Sequence, residues 1–248
     1  MDDKFWYLKH CDLFAHLAPE EIASVEVRSK FKSFPRGSLI YLPDDQNNSV
    51  LLLTSGRVKI YHITGEGKQA VLALIDPGEL FGELAVFDDG RRDEFAEAME
   101  ACNVVRIPHG EIQRLMAAHP DVSLSVTRLM GLRRKRVERR LKSLLFRSNR
   151  ERLVHLLIEL AEKYGRPAPE GIALTIKLSH QELASIIGST RETVTVILGE
   201  LQDENSVLVR RRQIILTRAD QLAAGVDLPA PDVAAPQPAA RPVQQLGS

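Results

Sequence analysis

The segment LSHQELASIIGSTRETVTVIL, residues 178–198, constrains the fold more than any other part of the sequence. Its pattern is that of two short helices joined by a tight turn, in which Gly188 suits the left-handed position. Ala184 is small where the two helices would cross. The spacing predicts a helix-turn-helix, whose second helix enters the major groove of DNA; an ordinary helical hairpin is the alternative. The buried face of the second helix would comprise Val194, Ile197 and Leu198.

Each of the two predicted helices begins with the spacing of a capping box. In this motif a Ser and a Glu three residues later bind N–H groups that the first helical turn leaves unpaired. The first pair is Ser179 and Glu182, and the second is Ser189 and Glu192. Arg191 and Glu192 then lie at the exposed N-terminal end of the second helix, where long side chains reach base edges in the groove.

The whole chain has the composition of a soluble globular protein: 248 residues, of which 44% are apolar and 27% charged. It contains no apolar run of the ~18–20 residues that a membrane span needs and no N-terminal signal peptide, so we expect a cytoplasmic protein. Its two cysteines, Cys11 and Cys102, argue against a disulfide scaffold. They are also too few for an iron–sulfur cluster held by four cysteines of one chain.

The net charge of zero hides an asymmetry between the two halves of the chain. Residues 1–118 carry 13 Lys and Arg against 19 Asp and Glu, whereas residues 119–248 carry 20 against 14. An acidic first half and a basic second half indicate two modules, with the basic one near a polyanion. Residues 128–152 contain eleven Lys and Arg and two acidic residues. We interpret this run first as a solvated face, ahead of an anion site or a contact with DNA phosphates.

The N-terminal half changes from a helical to a β-type pattern. Residues 1–30 have the texture of helices, and Pro19 suits the first turn of the second of them. From Phe31 to about Ile107, short β-rich runs alternate with turn residues at intervals of ~8–12 residues, which predicts an antiparallel sandwich or barrel. A short helix beginning near Glu83 is the one expected interruption. The runs are SLIYL, SVLLLTS, RVKIYHI, AVLALI and NVVRI.

Two helices are expected after these strands: Gly110–His119, and a long one from Pro120 to about Arg147. The long helix carries an approximate heptad seam, in which Arg133 takes the one skipped apolar position. We expect the seam to form a parallel homodimeric coiled coil. Packing against the chain's own β domain is the alternative, and both can hold. The predicted dimer interface comprises Val122, Val126, Met130, Arg133, Val137, Leu141 and Leu144.

The C-terminal half continues with an amphipathic helix over residues 149–164 and a Gly- and Pro-rich loop, YGRPAPEG. After the helix-turn-helix, VLVRRRQIILT has the pattern of a hairpin that turns around Arg210–Gln213. A helix-turn-helix followed by a hairpin is a winged helix, and the arginines at its tip suit phosphate contacts. From Gly225 the chain is rich in Ala, Pro and Gln and lacks an apolar period, so we expect a disordered tail.

A helix pair, a β-roll, a long dimer helix and a winged helix-turn-helix, in that order, resemble the cyclic-AMP receptor / fumarate-nitrate regulator (CRP/FNR) family. The resemblance covers roughly residues 5–220. It rests on SGRVKIY with DPGELFGELAVFDDG, on HPDVSLSVTRLMGLRRKRV, and on the helix-turn-helix segment. It implies an α+β protein with a cyclic-nucleotide-binding type of β-roll at 1–118, a dimerisation helix at 119–147, a winged helix-turn-helix at 148–224 and a tail at 225–248.

The resemblance implies a homodimer on a near-palindromic promoter site, with one recognition helix per subunit in successive major grooves. Carried over to this sequence, Arg191 would donate to guanine O6 and N7, and Glu192 would accept from cytosine N4. The third base-contacting position of cyclic-AMP receptors is an Arg, where this chain has Val196. The half-site should therefore be related to the familiar one but differ from it. The predicted contacts with the DNA backbone are Ser179, Gln181, Ser189, Thr190, Thr193, Arg210, Arg211 and Arg212.

The effector pocket that the resemblance implies departs from the cyclic-AMP pattern. Glu83 stands where the family has its ribose-binding Glu. Ten residues later, where the family binds the cyclic phosphate with an Arg followed by Ser or Thr, this chain has Asp93 and Glu94. Two carboxylates would then face an anionic phosphate, which is costly in a partly buried pocket. The polar pair that holds adenine is replaced as well. The predicted degenerate pocket comprises Gly82, Glu83, Leu84, Arg91, Arg92, Asp93, Glu94, Val137 and Glu138.

We therefore expect no bound cofactor and no binding of cyclic AMP in the usual mode, unless a shifted loop brings Arg91 or Arg92 inward. Three alternatives remain for the sensor. A different ligand binds, such as a cyclic dinucleotide held by these arginines and those of the dimer helix. The pocket is vestigial, and the protein folds directly into its DNA-binding form. Regulation comes from abundance, phosphorylation or a partner protein. We favour the second and third together. The seven histidines show no pattern that demands haem iron.

Two further classes of function compete with a DNA-binding transcription regulator. One is a regulatory protein whose β-roll controls a partner protein; the base-contacting end of the second helix argues against it. The other is an enzyme, but we find no Gly-rich phosphate loop with Lys-Ser/Thr, no metal-spaced His cluster and no credible Ser/His/Asp order. The resemblance also implies a contact with RNA polymerase by the loop that precedes the helix-turn-helix, around Tyr164–Gly171.

Overall fold

Alternating apolar side chains build the N-terminal half of the chain into two antiparallel sheets. The computed structural model describes residues 13–14, 17–87, 90–211 and 213–233. The chain divides into two compact units, Met1–Glu138 and Arg139–Ser248. The strands of the first unit are β1 Lys30–Phe34, β2 Leu39–Tyr41, β3 Ser49–Ser55, β4 Val58–Ile63, β5 Gln69–Ile75, β6 Leu80–Phe81, β7 Phe95–Ala98 and β8 Cys102–Pro108. They form two sheets with the strand orders β1–β8–β3–β6 and β2–β7–β4–β5.

Strand β3 shows how the sheets share one core. Leu51 and Leu53 face β4 and β7 of the other sheet, in a buried cluster with Ile60 and Ala96. Their neighbours Val50 and Leu52, which point the opposite way along a strand, are buried in a second cluster with helical residues. The first sheet is therefore covered on both faces, by the second sheet and by helices. The predicted β-roll is confirmed.

All five predicted β runs form strands, while β1, β6 and β7 were not predicted. Strand β1, KFKSF, exposes four of its five residues, so burial does not alternate along it. Strand β7, FAEA, has small and acidic residues, yet it pairs with both β2 and β4. These strands form because neighbouring strands pair with them, which a local pattern does not show.

Among the described residues, three helices belong wholly or partly to the first unit: α1 Pro19–Arg28, α2 His109–Ala118 and α3 Pro120–Phe146. Pro19 is at the first helical position, as predicted. A one-turn 3₁₀-helix, Glu83–Val86, forms where a short helix was expected. The first helix of the expected N-terminal pair lies largely outside the described residues.

The dimer seam predicted on α3 is wrong at its N-terminal end. Val122 and Val126 are only 2% and 3% exposed, because they pack into the core of their own unit with residues of β3, β8 and α2. The alternative of packing against the chain's own β domain therefore holds for these two residues. Leu132, which was not predicted, is 64% exposed on the same helix.

The second unit has a winged-helix topology. Its helices are α4 Asn149–Tyr164, α5 His180–Ile187, α6 Arg191–Asp203 and α7 Ala219–Ala224. Its sheet has the order β11–β12–β10–β9, from β9 Gly165–Ala168, β10 Gly171–Leu174, β11 Val207–Arg210 and β12 Gln213–Leu216. The predicted wing hairpin is confirmed as β11 and β12.

The Gly- and Pro-rich segment expected to be a loop is instead the hairpin of β9 and β10. Gly171 has a φ of +141°, and a Cβ there would lie 2.1 Å from the carbonyl oxygen of Leu216. The strand can thus approach β12 only because this residue lacks a side chain. The composition of the segment predicted a loop. The presence of a glycine at position 171 is instead explained by the close approach of its backbone to β12.

Two predicted boundaries differ from those observed. The dimerisation helix was expected to form a segment of its own at 119–147, but the division between the units falls within α3, after Glu138. The tail was expected to begin at Gly225, yet the side chain of Val226 is buried, with only 8% of its surface exposed. Residues 234–248 of the expected tail lie outside the described residues.

The turn between α5 and α6 provides a test of the fold. Gly188 has a φ of +67°, and a Cβ there would lie 3.1 Å from the Cδ2 of Leu144. Gly188→Ala should lower the free energy of unfolding by about 1–2 kcal/mol, because an L-residue is disfavoured in this conformation. Urea unfolding of the purified protein measures it. The matched control is Gly199→Ala in the middle of α6, where no atom lies within 4 Å of the new Cβ and the change should stabilise by roughly 0.5–1 kcal/mol. Equal behaviour of the two variants would contradict the assignment.

Candidate functional site

The first helix of the helix-turn-helix begins at the predicted capping box. Ser179 is the N-cap of α5, and its Oγ accepts a hydrogen bond of 3.2 Å from the backbone N–H of Glu182. In return, the Glu182 carboxylate accepts from the backbone N–H of Ser179 at 2.7 Å. The predicted start of α5 is therefore confirmed.

The second predicted capping box is wrong by one residue. Helix α6 begins at Arg191, its N-cap is Thr190, and the Thr190 Oγ1 accepts from the backbone N–H of Thr193 at 3.2 Å. The backbone N–H of Ser189 instead donates to the carbonyl of Ala184 at 2.9 Å, which closes the end of α5. Glu192 is thus not a capping residue, and its side chain is exposed at the start of α6.

The exposed face of α6 carries the predicted base-contacting residues. Arg191, Glu192 and Val196 are all exposed, and Val196 is 60% exposed although it is apolar. The opposite face consists of Val194, Ile197 and Leu198, which are buried as predicted. Thr195, one helical turn after Arg191, is also exposed on this face.

Thr195 was not predicted, although its spacing of four from Arg191 places it on the same face. Its hydroxyl oxygen lies 2.8 Å from the carbonyl oxygen of Arg191 and 2.8 Å from the Nδ1 of His180. His180 is the first residue of α5. This contact joins the N-terminal ends of the two helices of the motif, which holds the exposed face of α6 in place relative to α5.

Two arginines bind the carbonyl end of α5. Arg140 Nη2 donates to the carbonyl of Ile186 at 2.7 Å, and Arg152 Nη1 donates to the carbonyl of Ile187 at 2.9 Å. The last carbonyls of a helix have no helical partner and carry the negative end of its dipole, so cations stabilise them. Burial lowers the pKa of the Arg140 guanidinium.

The basic run at residues 128–152 is therefore not only a solvated face, which was its first interpretation. Arg140 and Arg152 bind the end of α5, and Arg133 is paired within the first unit. Sequence spacing did not separate these three from their exposed neighbours, because their partners lie far away in the sequence.

The wing brings further cations together. Arg210 and Arg211 are exposed at its tip, and Arg211 has a positive φ of 36°. Arg212 lies outside the described residues. A cleft of about 740 Å³ beside the wing is lined by Leu174, Thr175, Lys177, Arg210, Arg211 and Gln213. Lys177 was not predicted; it stands two residues before the N-cap of α5 and is exposed. Arg210 also pairs with Glu170 at 3.0 Å.

The remaining predicted backbone contacts lie around the start of both helices. Gln181 is exposed, Thr190 is exposed, and Ser179, Ser189 and Thr193 are half-buried. The structure thus places the predicted base-contacting and backbone-contacting residues of α5 and α6 within one short motif.

In the first unit, Met1–Glu138, which we call the sensor unit, the carboxylate expected at the ribose position already has a partner. Glu83 is 5% exposed and forms an ion pair with Arg133 of α3. Arg133 also donates to the carbonyl of Leu80. Gly82, which precedes Glu83, has a φ of +66°, and a Cβ there would lie 2.4 Å from the Nη1 of Arg92.

The two arginines of the same loop differ in position. Arg91 is exposed beside Asp44, whereas Arg92 is only 5% exposed. The Arg92 guanidinium lies 4.1 Å from the centre of the Tyr41 ring, and its Nη2 donates to the carbonyl of Ser49 at 2.7 Å. The alternative in which one of these arginines turns inward is therefore the one observed.

The two acidic residues of the pocket do not act as expected. Asp93 is exposed, so two carboxylates do not face the interior together. Glu94 instead accepts a hydrogen bond of 3.0 Å from the hydroxyl of Tyr41. Burial raises the pKa of Tyr41 well above its usual value, and the nearby Glu94 carboxylate raises it further.

The other predicted pocket residues are open to solvent. Leu84 is 46% exposed and Val137 is 67% exposed. Glu138 pairs with Arg134 at 2.8 Å, one turn away on α3. The structure therefore brings Gly82, Glu83 and Arg92 together.

Large apolar side chains are exposed along the second half of α3. Among the predicted interface residues, Met130 and Arg133 are half-buried, whereas Val137, Leu141 and Leu144 are exposed. We call the exposed apolar residues that share one face of α3, at spacings of four and three, the α3 stripe; it comprises Val137, Leu141 and Leu144.

Within the described ranges, no helix combines the length and apolar character that crossing a membrane requires. The same residues contain no group of three or more His, Cys, Asp or Glu side chains arranged to hold a metal ion.

Comparison with known proteins gives two family matches and several relatives. Residues 31–119 match the model of the cyclic nucleotide-binding domain, and residues 151–224 match the Crp-like helix-turn-helix domain. The chain is 33% identical to the global nitrogen regulator of Synechocystis over 74% of its own length and 82% of the relative's. It is 30% identical to the cyclic AMP receptor protein of Thermus thermophilus, over 81% and 89% of the two lengths.

A solved structure has the same fold. A CooA variant from Carboxydothermus hydrogenoformans superposes with a TM-score of 0.71 at 26% identity, covering 82% of this chain and 90% of that one. The match extends through both units, in agreement with the two family models.

The ion pair of Glu83 gives a test of the sensor unit. Arg133→Ala should lower the free energy of unfolding by roughly 3 kcal/mol, because it leaves a buried carboxylate without its cation. Thermal unfolding followed by circular dichroism measures it. The neighbouring Arg134→Ala is the matched control: its side chain is 83% exposed, so the unfolding midpoint should not change. An Arg133 variant as stable as the control would contradict the importance of this pair.

Proposed function

The chain belongs to the CRP/FNR family of DNA-binding transcription regulators, and from this premise we propose that it binds a near-palindromic promoter site as a homodimer without control by cyclic AMP. One observation carries the proposal. Helix α6 presents Arg191 and Glu192 at its exposed N-terminal end, on a helix whose other face is buried. This is the end that contacts bases when such a helix enters the major groove.

Base recognition follows from the chemistry of these side chains. Arg191 donates two hydrogen bonds to guanine O6 and N7, and Glu192 accepts one from cytosine N4. Val196 has no donor, so at its position only contact with a thymine methyl group is favourable. The cations of the wing and Lys177 bind the phosphates beside the half-site.

The homodimer is supported by the α3 stripe. Three large apolar side chains on one face of this helix are between 42% and 67% exposed, and apolar surface of this kind marks an interface. A second copy of α3 in parallel would cover the stripe and place two recognition helices on symmetric half-sites.

Independence from cyclic AMP is supported by the sensor unit. Glu83 is already paired with Arg133, and Asp93 and Glu94 stand where the family binds the cyclic phosphate. Arg92, which turns inward beside them, is already held by the carbonyl of Ser49 and the ring of Tyr41. Another effector, such as a cyclic dinucleotide, is the alternative to a protein that is active without ligand. The relative from Thermus thermophilus, by contrast, is named a cyclic AMP receptor protein.

Three further features complete the proposal. The segment around Tyr164–Gly171, which contains β9 and the turn to β10, is the surface that contacts RNA polymerase. The protein acts in the cytoplasm on promoter DNA and catalyses no reaction. The rival function, control of a partner protein by the β-roll, leaves the exposed Arg191 and Glu192 unexplained.

Base recognition is tested with Arg191→Ala. The loss of one bidentate contact should reduce the preference for the operator over competitor DNA by about 5- to 150-fold, equivalent to ~1–3 kcal/mol. A weak, salt-sensitive affinity for any DNA should remain. Gel-shift titration with specific and scrambled duplexes measures both. The control is Arg218→Ala, an exposed arginine of the same unit outside α6. A variant at 191 that still selects its operator would exclude the base-contacting role.

The homodimer is tested with Leu141→Glu. A charge in the α3 stripe should convert the dimer to a monomer in sedimentation equilibrium and weaken operator binding, since buried unpaired charge is costly. The control is Val27→Glu on α1, which introduces the same charge at an apolar residue that is 86% exposed. A wild-type protein that sediments as a monomer would overturn the proposal.

A further inference from the structure

Thr195 is exposed on the face of α6 that carries Arg191, although the proposed base contacts do not use it. It follows Arg191 by four residues, as Val196 follows Glu192, so each long polar side chain has a short one in the next turn on the same face. Four residues advance a helix by about 6 Å, which is almost two base-pair steps. In the major groove, Thr195 and Val196 would therefore lie over base pairs beside those that Arg191 and Glu192 recognise.

The hydroxyl of Thr195 is engaged within the protein. Its Oγ1 lies 2.8 Å from the carbonyl oxygen of Arg191 and 2.8 Å from the Nδ1 of His180. A carbonyl only accepts, so the one hydroxyl proton is donated to Arg191, and the Nδ1–H of His180 donates to the hydroxyl oxygen. Thr195 therefore offers DNA no hydrogen-bond donor, and it does not recognise base acceptors such as guanine O6 and N7.

The same two contacts fix the conformation of the Thr195 side chain. In a helix, threonine divides between two χ1 rotamers, because its hydroxyl can bond to a carbonyl of the preceding turn. The Nδ1 of His180, the first residue of α5, selects the rotamer whose Oγ1 is directed at α5. The γ-methyl group is then the part of this exposed side chain that the hydrogen bonds leave free.

We infer that Thr195 is a further specificity-determining residue, which recognises a thymine by contact of its γ-methyl group with the 5-methyl group of the base. Thymine is the base that presents a methyl group in the major groove, and small apolar groups pack against it. His180 is the positioning residue that holds Thr195 in this conformation. Val196, which is 60% exposed, adds a second apolar side chain next to it.

This inference rests on the proposed function, since it concerns the recognition helix, and it extends the expected half-site. Val196 alone accounts for one thymine contact beside the G·C pair, whereas Thr195 adds another. The alternative uses the remaining lone pair of the Thr195 hydroxyl oxygen, which could accept from adenine N6 or cytosine N4. It requires the hydroxyl instead of the methyl group, so the two readings make opposite predictions for substitutions at this position.

The experiment uses the operator that the full-length protein selects from a random library. Each thymine position is replaced in turn, in both half-sites, by deoxyuridine, which lacks only the 5-methyl group, and gel-shift titration measures the affinity. At two positions the wild-type protein should lose about fourfold in affinity per half-site, as expected for one buried methyl-sized group. Thr195→Ser, which keeps the hydroxyl and removes the methyl group, should be insensitive to replacement at one of the two.

Further variants separate the methyl group from the hydroxyl and test the role of His180. Thr195→Val should stay sensitive to deoxyuridine, because valine keeps the methyl group and prefers one rotamer in a helix. His180→Ala should reduce the sensitivity, and His180→Asn should restore it, since the amide N–H takes the place of the Nδ1–H. The matched control is Thr127→Ser, which should behave as the wild type. Thr127 is an exposed residue of α3 whose hydroxyl donates to the carbonyl of Ser123, four residues earlier, at 2.8 Å.

Three outcomes would overturn the inference. They are a selected operator in which no thymine methyl group affects binding, a Thr195→Ser variant with the wild-type pattern of sensitivity, and loss of sensitivity in Thr195→Val, which would assign the contact to the hydroxyl. A wild-type protein that selects no operator would overturn the proposed function as well. Selection of an operator without methyl sensitivity at Thr195 would overturn the inference alone, so the two failures are distinguishable.

Discussion

The turn at Gly188 is the constraint on which the DNA-binding unit depends. Its left-handed backbone ends α5 and lets α6 begin three residues later. Two guanidinium groups, from Arg140 and Arg152, bind the carbonyls that α5 leaves unpaired at this point. Because Arg140 belongs to α3 and Arg152 to α4, three helices are joined at one helix end. The direction of α6, and with it the position of Arg191, follows from this junction.

In the sensor unit, arginine side chains lie in the interior instead of at a helix end. Arg133 neutralises a buried carboxylate, Glu83, that family members with cyclic AMP would use for the ligand. Arg92 enters the interior of the β-roll and packs against Tyr41. The family site is therefore partly satisfied by the protein's own side chains. Two arginines at the end of the roll, Arg92 and Arg106, form no ion pair with a carboxylate among the described residues. The unit retains the fold of the cyclic nucleotide-binding domain, but the charged side chains inside it are arranged differently from the cyclic-AMP pattern.

Sequence patterns with short-range causes predicted most of the fold. The helix-turn-helix, the first capping box, the wing and five strands all follow from spacings of a few residues, and each is observed. The second cap was misplaced because Ser189 and Thr190 are both competent caps. Thr190 becomes the cap because the backbone N–H of Ser189 already donates to the carbonyl of Ala184 at the end of α5.

The features that were not predicted have long-range causes. Arg133 contacts Glu83 fifty residues away in the chain, and the inward turn of Arg92 depends on Tyr41. The hairpin of β9 and β10 forms because Gly171 allows close approach to Leu216. The Gly- and Pro-rich composition of this segment alone indicates a loop. At the site, the exposure of Arg191 and Glu192 was predictable from helical periodicity. The contact of His180 with Thr195 required the packing of two helices.

The central claim is that a symmetric pair of α6 helices recognises DNA through Arg191 and Glu192. Selection of bound duplexes from a random library by the purified wild-type protein tests it most directly. The account predicts enrichment of two inverted half-sites about one helical turn apart, each with a G·C pair at the positions of Arg191 and Glu192 and no fixed guanine at the position of Val196. Enrichment of a single asymmetric site, or of no sequence at all, would contradict it.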